Sequence, residues 1–195
     1  MAATTILLVR HGETDWNREG RFQGHADPPL NELGREQAAD LAERLAGDGI
    51  AAVYTSDLRR AAETAAIVAA RLGLPVSAHA GLREIDVGEF QGLTRAEIDE
   101  RWPDARARFA QRGYGWSQGE TLDELSARVV ASLLAIAVRH PGERIVAVGH
   151  GGTVRAGLAS ADGVDILTHR SMWAGPAENC SVYEVLVDGG SLRRP

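Results

Sequence analysis

Two segments of this chain share one design: Ile6-Leu7-Leu8-Val9-Arg10-His11-Gly12 and Ile145-Val146-Ala147-Val148-Gly149-His150-Gly151-Gly152. Each is a short apolar run that stops abruptly at a histidine flanked by glycine. A continuous run of that length reads as a strand buried on both faces, the pattern of a parallel sheet in an α/β protein. In such sheets functional groups gather just beyond the carboxyl ends of the strands. If the two strands are parallel neighbours, His11 and His150 face each other across one small space. A single strand-His-Gly reads most simply as a core histidine; two in one chain point to an active site.

The rest of the composition narrows what such a site can do. With 195 residues the chain fits one domain, and a net charge of −6 argues against a nucleic-acid or anionic-membrane partner. Its basic residues are all arginine, so neither Schiff-base lysine chemistry nor a P-loop is available. The single cysteine, Cys180, has no disulfide partner and no companions for a thiolate zinc site. The first apolar run ends at Arg10, too short for a signal segment or a membrane span. A cytoplasmic protein is the expectation.

Along the chain, Asn31 reads as the N-cap of a helix with Leu33, Ala38, Leu41, Ala42 and Leu45 on one stripe, stopped by Gly47 and Gly49. A second buried strand is predicted over 50–54, and then Ser56 caps a helix running to about 72, ended by Gly73 and Pro75. A third strand is expected over 75–80. Thr94 with Glu97, and Thr121 with Glu124, fit capping boxes. The second box launches a long helix faced by Leu125, Val129, Leu133 and Ile136 and halted by Pro141-Gly142. A strand over 145–148, a helix from about 153 and a strand over 181–187 complete the pattern. Alternating strands and helices predict an α/β fold, a three-layer α/β/α sandwich with a mostly parallel central sheet. We expect one domain over 1–195, with a helical excursion at about 81–119 covering the sheet's active edge.

Several groups at that edge can carry chemistry. A neutral imidazole is a competent nucleophile towards phosphorus, and an arginine such as Arg10 matches phosphate oxygens with two parallel hydrogen bonds. Arg59 and Arg60 open a helix, where the macrodipole disfavours cations unless an anion is near. One of the two reads as a ligand residue, the other as solvated or paired with Asp57 or Glu63. Backbone N–H groups at Gly151 and Gly152 suit a phosphoryl oxygen. The acidic stretch over 82–90, with Glu84, Asp86 and Glu89, could hold a general acid over the site, although clustered acids usually mark a solvated loop. Trp16, Trp102, Trp116 and Trp173 read as packing. Gly115-Trp116-Ser117-Gln118-Gly119 matches the G-x-S-x-G elbow of serine esterases, but no buried strand precedes it, and His150-Gly151-Gly152 follows it where an esterase oxyanion loop precedes. No metal is called for: there is no H-E-x-x-H, and His25, His79, His140 and His169 carry no ligand-like spacing and read as surface or structural.

In this order the motifs resemble the histidine phosphatase superfamily, which includes the cofactor-dependent phosphoglycerate mutases, and the match runs through nearly the whole chain. Arg10-His11-Gly12-Glu13-Thr14 with Asn17 is similar to the family's signature. Gly20-Arg21-Phe22-Gln23-Gly24, continuing through Asp27, Leu30 and Gly34, resembles its next block, and Ser56-Asp57-Leu58-Arg59-Arg60-Ala61 with Thr64 the block that bears its second phosphate arginine. The resemblance implies a phosphoglycerate mutase-like fold and His11 as the nucleophile. It further implies Arg10, Arg60, His150 and Asn17 on the phosphoryl oxygens, Glu84 as proton donor, and Gln23, Gly24 and Gly151 at the substrate. No cofactor or metal is implied, the partner is a small phosphorylated metabolite, and members are commonly homodimers. Mutases carry a tyrosine where this chain has Val87, and a tandem arginine pair where it has only the separated Arg106, Arg108 and Arg112. Both departures favour a phosphomonoester hydrolase over a phosphoglycerate mutase, while Arg95 occupies a position where mutases keep a basic residue. From a different class, an idle phospho-ligand binding module would be expected to have lost His11, Glu84 or His150, and all three are present.

Overall fold

The computed structural model describes residues 2–105, 118–172 and 177–195. Among them are six strands, β1 (Thr4–Arg10), β2 (Ile50–Thr55), β3 (Val76–Ala78), β4 (Arg144–Gly149), β5 (Val182–Asp188) and β6 (Ser191–Arg193). They form one sheet in the order β3-β2-β4-β1-β5-β6. The two strand-His-Gly segments are its centre: β1 runs parallel to β4, with Arg10 opposite Gly149. β2 and β3 continue the parallel part, whereas β5 and β6 pair antiparallel at the other edge.

Because side chains alternate across a strand, the apolar runs feed two cores. Ile6, Leu8, Ile145 and Ala147 face one, with α5 (Leu122–Ala137) and α6 (Gly151–Ala161). Leu7, Val9, Val146 and Val148 face the other, with α2 (Glu32–Leu45) and α3 (Arg59–Leu72). Burying each such aliphatic side chain contributes about 1.5–3 kcal/mol, so these strands anchor the residues that follow them. Gly157 brings α6 close to the sheet, since a Cβ there would lie 2.6 Å from Leu8 Cδ1. Helices on both faces of a mostly parallel sheet make the expected three layers. Of the excursion over 81–119, the described part holds two 3₁₀ turns (Ala80–Leu82 and Gly88–Phe90) and α4 (Arg95–Arg101), while 106–117 lies outside the described residues.

Local signals were followed where the partner is local. Asn31 caps α2, and both Thr94 and Thr121 form complete capping boxes. Three expectations are corrected. Leu33 is exposed, and the buried face of α2 is Gly34, Ala38, Leu41, Ala42 and Leu45. Ser56 is not the cap of α3: its hydroxyl accepts from Leu58 N, Leu58 is the N-cap residue, and the Asp27 carboxylate takes the Arg59 N–H at 2.6 Å. α6 begins at Gly151 rather than near 153, with His150 as its N-cap residue. The short helices α1 (Asp15–Arg18) and α7 (Ile166–Met172) and strand β6 were not anticipated.

Candidate active site

The carboxyl ends of β1 and β4 place His11 and His150 edge to face, with ring centroids 5.2 Å apart. The backbone around His11 is held from several sides. Its N–H donates to Gly149 O (3.0 Å), its carbonyl accepts from Asn179 Nδ2 (2.8 Å), and Gly12 N–H donates to Thr64 Oγ1 (3.0 Å). Gly12 must be glycine because a Cβ there would sit 2.3 Å from Gly34 O, where the loop packs on the start of α2. The ring lies 2.7 Å through Nδ1 from its acceptor, Gly12 O. A carbonyl only accepts, so Nδ1 carries the proton and Nε2 keeps the lone pair. Burial, then Arg60 and Arg10, holds the His11 pKa well below the usual histidine range. The ring is neutral and nucleophilic at neutral pH. His150 is depressed the same way by burial and by Arg60, and both of its ring nitrogens are buried without a partner.

Two arginines close around this pair. Arg60, fully buried at the start of α3, donates to Ala26 O (2.7 Å) and Gly24 O (2.8 Å), and its Nε has no partner. Burial pushes its pKa down to about 10, against the pull of Glu84 and Asp27. Arg10, at the end of β1, donates Nη1 to Ala177 O, and its Nε is likewise buried and unpartnered. Unsatisfied buried donors are costly and rare, so a concentration of them marks a place built for an anion. Arg59 settles the other half of the expectation: it pairs with Glu63 at 2.6 Å and does not line the cleft.

Glu84 stands across the cleft. Its carboxylate accepts from Gly152 N (3.0 and 3.2 Å) and Ile85 N (2.9 Å). The Gly152 N–H expected for a phosphoryl oxygen is thus given to Glu84, and Gly151 lines the cleft beside it. The Glu84 loop is clamped from behind by Arg128 of α5, which donates to Gly81 O (2.9 Å), Arg83 O (3.1 Å) and Glu84 O (3.3 Å). Arg128 in turn is gripped by both carboxylate oxygens of Glu120 (2.8 and 2.7 Å). His25 Nε2 adds a 2.8 Å contact to Glu84 O, so this histidine, read as surface or structural, supports the Glu84 loop. Of the acids over 82–90, Glu84 lines the cleft, and Asp86 and Glu89 do not.

The cleft has a volume of about 660 Å³ and brings together Arg10, His11, Asn17, Gln23, Gly24, Arg60, Glu84 and Gly151. His150 is fully buried, with its ring edge to face on that of His11 and both ring nitrogens unpartnered. Asn17 spends its side-chain oxygen on Thr14 in the capping box of α1. Gln23 is buried with Oε1 unpartnered. Trp16 lines the cleft, correcting its reading as packing, whereas Trp102 does pack, edge to face on Phe90 at 4.9 Å. Arg95 reaches the wall with its guanidinium 5.3 Å from the Phe22 ring centroid. Sequence reasoning missed Arg128, Glu120 and Asn179, tertiary partners without a local motif, and Arg155, which lines the cleft from α6. Arg106, Arg108, Arg112, Trp116, Ser117 and Trp173 lie outside the described residues. Among the described residues no three His, Cys, Asp or Glu side chains are grouped to hold a metal, and no helix is long and apolar enough to cross a membrane.

A neutral imidazole between two arginines, with a carboxyl group opposite, can accept a phosphoryl group and protonate what leaves. The chain is similar to proteins named for phosphoryl chemistry. A phosphoglycerate mutase-like protein 4 of Arabidopsis thaliana is 46% identical over 156 residues, covering 77% of this chain and 68% of its own. A metal-independent phosphoserine phosphatase of the same plant is 43% identical over 158 residues, covering 78% and 66%. The solved structure of a mycobacterial glucosyl-3-phosphoglycerate phosphatase in complex with VO3 superposes with a TM-score of 0.84 at 34% identity, covering 97% of this chain and 95% of that one. The sequence pattern of the histidine phosphatase superfamily (branch 1) matches residues 6–193, and the chain belongs to that family.

Proposed function

We propose that the protein is a phosphomonoester hydrolase acting on a small phosphorylated metabolite through a phosphohistidine on His11. The observation that carries this reading is the His11 ring, with Nδ1–H committed to Gly12 O and Nε2 left as a lone pair beside Arg10 and Arg60. Nε2 attacks phosphorus as the ester P–O bond breaks, and Glu84 gives its proton to the departing oxygen. The Glu84 carboxylate then takes a proton from water, whose oxygen attacks phosphorus as the P–N bond breaks. Phosphate leaves and His11 returns neutral. Arg10, Arg60 and His150, helped by Asn17, hold the charge spread over the equatorial oxygens, and Gln23, Gly24 and Gly151 complete the wall around the substrate.

Metal independence rests on the fixed arginines, which supply the positive charge a cation would supply, and the phosphoserine phosphatase relative is itself named metal-independent. Hydrolysis rather than isomerisation is supported by Val87, which lines the cleft without a hydroxyl, and by the relatives named as phosphatases of phosphoserine and of glucosyl-3-phosphoglycerate. The test is rapid quenching during turnover of labelled phosphomonoesters in EDTA. An acid-labile, base-stable phosphoryl adduct is expected in the wild type and absent from His11→Ala. Phosphate on serine, activity that needs restored zinc or magnesium, or rapid interconversion of phosphoglycerates dependent on a bisphosphorylated primer would each overturn the reading.

A further inference from the structure

Arg155 has no part in the chemistry above, yet it lines the same cleft. It lies on α6 three residues after Gly152 and four after Gly151, so it shares their face of the helix. Each of the other arginines of the cleft has at least one partner, and the donors left over on Arg10 and Arg60 are those assigned to the phosphoryl group. Arg10 and Arg60 donate to backbone carbonyls, Arg21 pairs with Glu19 and Glu97, and Arg95 stacks on Phe22. Arg155 has neither a hydrogen bond nor an ion pair among the described residues, and its Nε is fully buried. Burial lowers its pKa, opposed only by the field of Glu84. Arg155 as a whole is half-buried, but a guanidinium whose Nε is shut off from solvent with nothing to donate to carries a desolvation cost.

Counting charge shows what would compensate it. A phosphoryl dianion balances Arg10 and Arg60. Glu84 must hold a proton for the first step and is then neutral. Arg155 is left with one positive charge within the field of Glu84, in a cleft whose wall also includes the apolar Leu122, Leu125 and Ile166. A planar monoanion matches the guanidinium in charge and shape, whereas a second phosphoryl dianion would leave an excess negative charge there. We propose that Arg155 binds a carboxylate on the leaving-group portion of the substrate, so that the cleft selects phosphorylated hydroxy acids and amino acids over uncharged or cationic alkyl phosphates. The proposal rests on the phosphatase reading for its catalytic consequence but not for the binding it asserts.

The test uses matched pairs differing in the carboxylate: phosphoserine against phosphoethanolamine, and 3-phosphoglycerate against glycerol 3-phosphate. Calorimetry on His11→Ala protein measures binding without turnover, and kcat/KM on otherwise wild-type protein measures selection. The carboxylated member of each pair should be preferred. Arg155→Met should shrink that preference by about 10- to 100-fold, the worth of a charge-assisted pair, with Arg155→Lys intermediate. Ligand-free Arg155→Met should melt no lower than the wild type, since it removes a charge that nothing pairs. Equal losses for both members, a preference that survives Arg155→Met but disappears in Arg95→Met, or a lowered melting temperature would overturn the proposal. An Arg155-dependent carboxylate preference in binding, in a protein that hydrolyses none of the four esters, would sink the phosphatase reading and leave this one standing.

Discussion

One methyl group separates Glu84 from its working position. Gly152 gives its N–H to both Glu84 oxygens, at 3.0 and 3.2 Å, and a Cβ on Gly152 would lie 2.1 Å from Oε1. Real Cβ contacts stay above 3.0 Å, so in Gly152→Ala the carboxylate must withdraw by about 1 Å. The methyl would also press on Leu125 Cδ2 at 3.1 Å. Withdrawal stretches the bonds that aim Glu84, while the first turn of α6 gains about 0.5–1 kcal/mol from replacing glycine by alanine. The fold should survive and the acid should not. General acid catalysis of an alkoxide's departure is worth about 10²–10⁴-fold, or about 3–5 kcal/mol of barrier. We expect Gly152→Ala to slow phosphorylation of His11 by alkyl phosphates at least 100-fold on that scale. The nitrophenyl phosphate burst should change little, because nitrophenolate leaves without a proton. The assay is rapid-quench measurement of the first turnover with both substrates, since dephosphorylation needs Glu84 as base for either and would mask the contrast in the steady state. Equal losses in the two bursts, or none in either, would refute the placement of Glu84 as the acid.

Further predictions follow from the buried groups. His11 and His150 are both held neutral in the fold, whereas the unfolded chain protonates them near pH 6.5. Stability should therefore be flat above about pH 7 and fall below about pH 6.5, by up to about 1.4 kcal/mol per pH unit for each histidine, and replacing His150 by Asn should remove its share of the slope. Denaturant melts between pH 5 and 7.5 measure this, and the same slope in wild type and variant would contradict it. Arg128→Met strips the donor from three carbonyls of the Glu84 loop. It should cost about 2–4 kcal/mol of stability and lower the ratio of alkyl to nitrophenyl phosphorylation rates about tenfold or more, in melts and the same burst assay. An unchanged ratio would reduce Arg128 to a structural role.

What could be read from the sequence is what local physics decides. The paired strand-His-Gly segments were legible because a strand covered on both faces must be apolar throughout, and its end is where polarity returns. The threonine caps at 94 and 121 were legible because their partners lie three residues away. Ser56 misled because the N–H group at Arg59 is taken by Asp27, 32 positions earlier. Arg128 and Arg155 were invisible for a related reason: an arginine inside a helix looks solvated until the fold buries it against a loop or a cleft. The β5–β6 hairpin did carry a signal, Asp188-Gly189-Gly190-Ser191, since both glycines adopt positive φ (58° and 84°).

In the proposed mechanism, the charge arrangement around His11 also lets one residue serve both half-reactions. A nucleophile must be neutral to attack, and a phosphoryl group needs positive charge around it. Burial, reinforced by Arg60 and Arg10, pushes the His11 pKa down, and the same two arginines keep donors for the anion. When Nε2 bonds to phosphorus, the ring that keeps its Nδ1 proton becomes cationic. The arginines oppose that charge, but the incoming phosphoryl oxygens offset them, and Gly12 O, 2.7 Å from Nδ1, stabilises the ring directly. The same carbonyl that selects the attacking tautomer therefore supports the phosphorylated one. A cationic ring is in turn a good leaving group, so water activated by Glu84 meets a P–N bond already disposed to break. A bound phosphoryl group offsets the cost of two neutral buried histidines and of the unpartnered arginine donors.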